Sequence, residues 1–341
     1  MQAPTRRSPV ARRVGIAIAI ALLLALVVFG LSRLNLPHIG HALVSASPGW
    51  VLLSLALMAS SLLLRAVSWH ETLRAALPDV RIGWLPVMRA TMIGVMASAI
   101  LPGRVGEPTR IIVLARRLQG STARNVPVVA GTVFSQTLIN LVALAILAAV
   151  TFSSVSLLRN HASALTGVLA VPLLVVLLVV GGPALLRLGQ RSHSARMRRG
   201  ADLLAGLLRL ARRGLVVFTR PRHGVAAVGM QLLAWAFQWG ACYMVILALG
   251  LESHATPATA AAILLAVNVS AVLPATPSNV GVFQAACLVV LAAYGVEAGA
   301  ALAYGIILQA VEVLTAVGLG VPALLGEGMT WQDIRRSTHA R

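Results

Sequence analysis

Apolar residues in this chain run in long blocks, at 14–31, 49–64, 83–101, 126–151, 163–186, 225–250, 257–273, 281–295 and 299–325. A run of about 18 residues or more crosses the roughly 30 Å hydrocarbon core of a bilayer as a helix. Backbone inside lipid must satisfy its own hydrogen bonds, which leaves helices as the natural reading of such blocks. The pattern predicts an all-α polytopic membrane protein. Two blocks are broken by turn-forming residues, at Leu101-Pro102-Gly103-Arg104-Val105-Gly106-Glu107-Pro108-Thr109-Arg110 and at Leu273-Pro274-Ala275-Thr276-Pro277-Ser278-Asn279-Val280-Gly281. After the first break only Ile111–Ala115 remains apolar, too short to span.

Composition sharpens this. Of 341 residues, 58% are hydrophobic and 11% charged, which excludes a single soluble domain. The formal charge is +19, from 28 basic residues that are all Arg against 9 acids. Because the arginines sit between apolar blocks with few aromatics among them, the polyanion they suit is a membrane surface, with no nucleic acid as partner. Cys242 and Cys287 lie in apolar stretches, so neither a disulfide framework nor a zinc site is expected. The first block is too long for a signal peptide and reads as a retained helix.

Arginine in short loops marks the cytoplasmic side. The N-terminus starts inside; helix 14–31 leaves and helix 49–64 returns to Arg65, Arg74 and Arg81. A full crossing by 83–101 would place Arg116, Arg117 and Arg124 outside, so residues 83–118 are predicted to dip in and return as a re-entrant hairpin. The same logic makes 257–295 a second hairpin, opening from the other side. Expected organisation follows: a basic cytoplasmic tail 1–13, a first transmembrane repeat 14–151 with hairpin 83–118, and a second repeat 163–325 with hairpin 257–295 and a basic cytoplasmic loop 187–224, then a cytoplasmic tail 326–341. Within the loop, 196–213 has the pattern of an interfacial amphipathic helix. The predicted fold is two inverted-topology halves, each with three crossing helices and one re-entrant hairpin, about eight apolar helical elements in all, an architecture shared by many secondary transporters.

Charges at membrane depth cost on the order of 3 kcal/mol each and persist mainly where they pair or face a polar cavity. Arg104, Glu107 and Arg110 are placed on the first hairpin tip, with Gly103 and Gly106 allowing close backbone approach. Arg104 and Arg110 suit a phosphate. Glu107 has several readings: pairing an arginine, selecting a cationic head group, carrying a proton, or merely locking the turn. Arg65 and Trp69, four apart at a helix end, read as an interfacial anchor or a phosphate contact. Trp235 and Trp239, with Gln231 and Gln238, read as packing or as a lipid path. The eight histidines show no metal-ligand spacing, and no Walker, hydrolase or paired-carboxylate motif appears. A non-enzymatic protein without metal or cofactor is expected.

Pro102-Gly103-Arg104-Val105-Gly106-Glu107, with Arg65 and Trp69 in LLLRAVSWHETL and with LPATPSNVGVFQ at 273–284, resembles the flippase-like family that includes the transmembrane region of lysylphosphatidylglycerol synthases. The resemblance covers most of 14–325. It implies a multi-pass protein of a bacterial or archaeal inner membrane, both termini cytoplasmic, that moves or helps to move a phospholipid or lipid-linked glycan between leaflets. It implies the transmembrane half alone, with no aminoacyl-transfer domain after residue 325. Its partners would be lipids with anionic or polyprenyl-linked head groups, and a glycosyltransferase or synthase if the protein is an accessory subunit. A head-group transferase is the remaining alternative. Gln284 stands where the family has Glu, Ser135, Gln136 and Asn140 where charges are usual, and Gln309 where Arg is common; Glu312, three positions on, is the candidate replacement charge. The expected substrate-binding set is Arg104, Gly106, Glu107, Arg110, Asn279, Gln284, Arg65, Trp69, Gln136, Asn140, Gln309 and Glu312.

Overall fold

A computed structural model describes residues 45–101, 105–119, 121–154, 220–271 and 279–327. The expected spans 14–31 and 163–186, the amphipathic stretch 196–213, the tail 1–13, nearly all of 326–341, and Arg104 lie outside the described residues. Eight helices are described: α1 Pro48–Ala76, α2 Trp84–Ile100, α3 Gly106–Arg117, α4 Thr122–Ser154, α5 Pro221–Ala248, α6 Pro257–Ser270, α7 Val282–Ala293 and α8 Ala298–Gly326. No strand occurs among the described residues. The protein is all-α, and α1, α4, α5 and α8 are long and apolar enough to cross a membrane.

The other four helices are short: 17 residues in α2, 12 in α3, 14 in α6 and 12 in α7. At 1.5 Å per residue they reach roughly 18–26 Å, short of the ~30 Å core. α2 packs on α3 and α6 on α7, so both interrupted segments fold as helical hairpins. The first is zipped by glycine. A Cβ on Gly106 would sit 2.1 Å from the Gly94 carbonyl oxygen and 2.1 Å from Ser98 Oγ, so only glycine lets α3 close on α2 here. Pro48, Pro221 and Pro257 stand in first turns, where a missing N–H breaks no intrahelical bond. Gly295, at φ +78°, forms the turn from α7 into α8.

α1 is longer than its apolar block, which ends at residue 64. The helix continues to Ala76 because its later polar side chains have partners inside the protein: Ser68 Oγ donates to Ala227 O at 2.8 Å and Thr72 Oγ1 to Ser68 O at 2.9 Å. The Ser68 bond belongs to a repeating seam with α5. Ser54, Ser61 and Ser68, seven apart and fully buried, donate to the carbonyls of Ala241, Ala234 and Ala227 at 2.9, 2.8 and 2.8 Å. As the serine number rises the alanine number falls, so α1 and α5 run antiparallel. Small residues every seventh position keep the two backbones close.

α5 and α6 begin 173 residues after α1 and α2, the same separation as between Ser61 and Ala234. Residues that touch their own counterparts lie on a two-fold axis, so a pseudo-two-fold crosses the seam at this pair. Each helix contact then has a partner: α2/α8 with α6/α4, α3/α4 with α7/α8, and α1/α8 with α5/α4. With α1 and α5 antiparallel, the halves are inverted relative to each other. All described arginines except Arg65 and Arg110 gather at the end where α1 finishes and α5 starts; Glu252 and Glu297 lie in the turns at the other. α8 finishes at the arginine-rich end, where the Glu327 carboxylate meets Arg117 Nε at 2.6 Å and Arg89 Nη1 at 3.5 Å.

Two apolar cores result. One holds Met58, Trp235, Tyr304 and Val311 and the other Leu62, Trp69, Ile93 and Leu324. Between them, at the middle of the long helices, is polar space.

Candidate functional site

A cavity of about 510 Å³ lies between the two cores. Every described helix except α7 contributes polar lining. α1 brings Arg65; α3 brings Glu107 and Arg110; α4 brings Gln136 and Asn140. From the other half come Gln231 and Gln238 on α5, Asn268 on α6, and Gln309 and Glu312 on α8, with Asn279 just before α7. These residues are the polar exceptions in otherwise apolar helices, and the pseudo-two-fold seam places them opposite one another.

Two arginines organise the cavity. The Arg110 guanidinium donates to Glu107 Oε2 at 2.5 Å, one helical turn away, and to Gln136 Oε1 at 2.9 Å on α4. It stacks over the Trp69 ring, 5.1 Å from its centroid. Gln136 in turn donates to the Arg65 carbonyl at 2.9 Å, joining the hairpin to α1. Arg65 donates to Gln238 Oε1 and lies 5.8 Å from the Trp235 centroid. Asn140 Oδ1 accepts from Gln231 Nε2 at 2.8 Å and from Trp235 Nε1 at 3.0 Å. Arg65 and Glu312 attract across the space, and Arg65 and Arg110 repel. Two arginines and two glutamates therefore share the lining.

The arrangement leaves groups unmet. Arg65 Nε, Arg110 Nε and Gln231 Oε1 are buried and have no hydrogen-bond partner among the described residues. A buried donor or acceptor without a partner costs about 1–3 kcal/mol, more when charged. Two guanidinium groups that line a polar cavity, each with a buried Nε that has no partner among the described residues, are suited to an anionic oxygen, which Arg binds through planar paired bonds.

Eight of the twelve expected residues line the cavity: Arg65, Glu107, Arg110, Gln136, Asn140, Asn279, Gln309 and Glu312. Four differ. Trp69 is fully buried in the core, donating to Thr132 Oγ1 at 3.1 Å, and supports Arg110 from behind. It is no interfacial anchor, because α1 runs on for seven more residues. Gly106 faces α2 and is a packing residue. Gln284 is in α7, where its Oε1 accepts from the Gly281 amide at 2.7 Å and its Nε2 donates to Gln309, so it braces the wall from outside the lining. Arg104 lies outside the described residues. Glu107 and Arg110 also stand in the first turns of α3 and not on an irregular tip; the helix starts at Gly106, with the carboxylate favourably placed at its N-terminus.

Gln231 and Gln238, which the sequence allowed as part of a lipid path, join the lining, and so does Asn268, which the sequence did not single out. The signal for them is two amides seven apart in α5, and one in a 14-residue helix otherwise made of small and apolar residues with one threonine and one serine. Among the described residues no three His, Cys, Asp or Glu side chains converge to hold a metal.

No protein of curated function matches the chain. The model of the family described as the lysylphosphatidylglycerol synthase transmembrane region matches residues 14–320. With nearly the whole chain matched, including both hairpins and every helix that lines the cavity, this protein belongs to the family of the lysylphosphatidylglycerol synthase transmembrane region.

Proposed function

We propose that this membrane protein is a flippase-like transporter, moving a phospholipid or lipid-linked glycan between leaflets by holding its phosphate-bearing head in the central cavity. The observation that carries the reading is that two arginines, Arg65 and Arg110, line one polar cavity midway along the long helices with their hydrogen-bonding capacity incompletely met. Arg65 and Arg110 hold the anion, the amides of Gln136, Asn140, Gln231 and Asn279 take its hydroxyl or ester oxygens, and Glu107 and Glu312 keep the empty site near neutral. Two inverted halves around one site supply the two access states that transport needs, while the acyl chains stay in lipid. The protein acts in the inner membrane with the arginine-rich end in the cytoplasm, has lipids as partners, and is not an enzyme.

Purified protein in liposomes with fluorescent phospholipids and polyprenyl-phosphate lipids tests this. Expected is leaflet exchange of at least one class, lost in Arg65→Gln. Folded protein that exchanges no lipid of any class overturns it. Lipid binding without exchange selects the second reading, an accessory subunit that presents a lipid to a glycosyltransferase or synthase. A head-group transferase is separated by Glu107→Gln, which would stop turnover and spare lipid affinity.

A further inference from the structure

A second cavity lies away from the central one, at the arginine-rich end. It has a volume of about 370 Å³ and is walled by the last turns of α1, the 77–83 turn and the start of α5. Its nitrogen-bearing lining is His70, Arg74, Arg81, Arg220 and His223. The acid beside it is Glu71, and that carboxylate is shared: His223 Nδ1 is at 2.7 Å, Arg74 Nη1 at 3.4 Å and His70 Nδ1 at 3.8 Å. His70 is held on its other side by the Ile82 carbonyl, 3.0 Å from Nε2. The side chains of Arg81 and Arg220 line the cavity and make no hydrogen bond or ion pair among the described residues. One carboxylate therefore serves a basin of three guanidinium groups and two imidazoles.

Neutralisation by the chain itself is unfavourable. The residues leading into Arg220, 187–219, add eight arginines and a single acid, Asp202. Asp79, in the same turn as Arg81, is exposed and makes no ion pair among the described residues, so the unpaired guanidinium groups of Arg81 and Arg220 suit an anionic ligand. The depth of the basin narrows its source. Trp84 packs edge-on against His70, 6.0 Å between centroids, and is itself exposed, as is Leu85 beside it. An exposed Trp–Leu pair where a membrane helix begins marks head-group level, the preferred depth of indole rings. Basic pockets between transmembrane helices at that level take lipid head groups.

We propose that this basin is a phosphate-binding site, separate from the central cavity, that takes the phosphodiester of an anionic lipid at the arginine-rich face. Arg81 and Arg220 supply the free donors. Arg74 and His223, already tied to Glu71, form the wall that fixes the pocket. A lipid seated here stays at the surface, so its occupancy is independent of exchange through the central cavity.

The test uses the full chain in phospholipid-free detergent, titrated with phosphatidylglycerol, phosphatidylcholine or inorganic phosphate, with bound molecules counted by native mass spectrometry. Arg81→Gln/Arg220→Gln changes two side chains that make no hydrogen bond or ion pair among the described residues, and Arg116→Gln is a control at an exposed arginine of the same end. Thermal unfolding checks that each variant is folded. Expected is retention of phosphatidylglycerol over phosphatidylcholine, weakened about tenfold or more in the double variant through loss of two charge-assisted bonds, and unchanged in Arg116→Gln. The same pattern for inorganic phosphate supports the site and identifies a soluble anion as its source. Equal loss in the double variant and in Arg116→Gln, or no loss in either, overturns the proposal. Arg65→Gln separates the two cavities: it abolishes exchange and leaves this binding intact.

Discussion

At the scale of single residues, the cavity depends on charges that the fold does not fully satisfy. Arg65 has one amide partner, an aromatic face and a distant carboxylate, and its Nε has no partner. Removing either Arg65 or Glu312 alone leaves the other as a buried charge without its counter-ion, which is costlier than removing both. Arg65→Gln and Glu312→Gln should therefore each destabilise the folded protein. The double variant should recover about 1–3 kcal/mol of coupling, read by denaturant unfolding in detergent, and all three should lose lipid exchange. Strict additivity would show that the two groups do not interact. These residues were legible in the sequence because a charge or amide inside an apolar block is costly unless it has an internal use. Trp69 and Gln284 were not. Whether an indole faces lipid interface or core depends on where its helix ends, and the end of α1 is decided by Ser68 and Thr72 finding partners on or across the helix seam.

Elements here are held by small residues as much as by apolar area. Gly106 shows this for the first hairpin: a methyl group would enter the space of the Gly94 carbonyl and Ser98. Gly106→Ala is expected to cost about 1–3 kcal/mol by overpacking, visible as a lower unfolding temperature. Gly229→Ala in α5, where a Cβ meets nothing within 4 Å, should be neutral or stabilising by up to roughly 1 kcal/mol from helix propensity. The seam of α1 and α5 makes a parallel case. Losing the hydroxyl in Ser61→Ala should cost about 0.6 kcal/mol, as buried interhelical bonds in membranes do. Ser61→Leu forces the backbones apart and should cost several times more in the same assay. The hairpins themselves could be anticipated from blocks too short to span and from arginines on the wrong side of a full crossing. The serine register could not, because it is a pairing of two segments 173 residues apart and neither segment alone shows it.

The whole molecule is symmetric in plan and uneven in contact. The α1/α5 seam lies on the pseudo-two-fold and is the most extensive interface, tied by hydroxyl-to-carbonyl bonds in every second turn. Among the other interfaces between the halves, α2/α8 and α4/α6 are counterparts under that axis, yet α2/α8 is far more extensive than α4/α6. Gly320 of α8 sits against Met96, and the carbonyl of Gly326 and the carboxylate of Glu327 bind Arg89 and Arg117 at the arginine-rich end. Under the proposed transport function, an inverted pair that is tight on one side and loose on the other corresponds to one of the two states that alternating access requires, and exchanging the roles of the halves generates the second. The seam must then stay closed in both states, while α2/α8 must open in one. In a background with Cys242 and Cys287 replaced by Ser, an oxidised Ser54→Cys/Ala241→Cys pair should leave lipid exchange close to that of the reduced protein. An oxidised Met96→Cys/Gly320→Cys pair, whose Cβ atoms start 2.4 Å apart and reach the ~3.8 Å of a disulfide by a small separation of the helices, should stop exchange by tying α2 to α8, and reduction should restore it. Exchange that survives the second cross-link would mean that lipid heads cross without α2 and α8 parting, by a path along the outside of the closed bundle and not through its cavity.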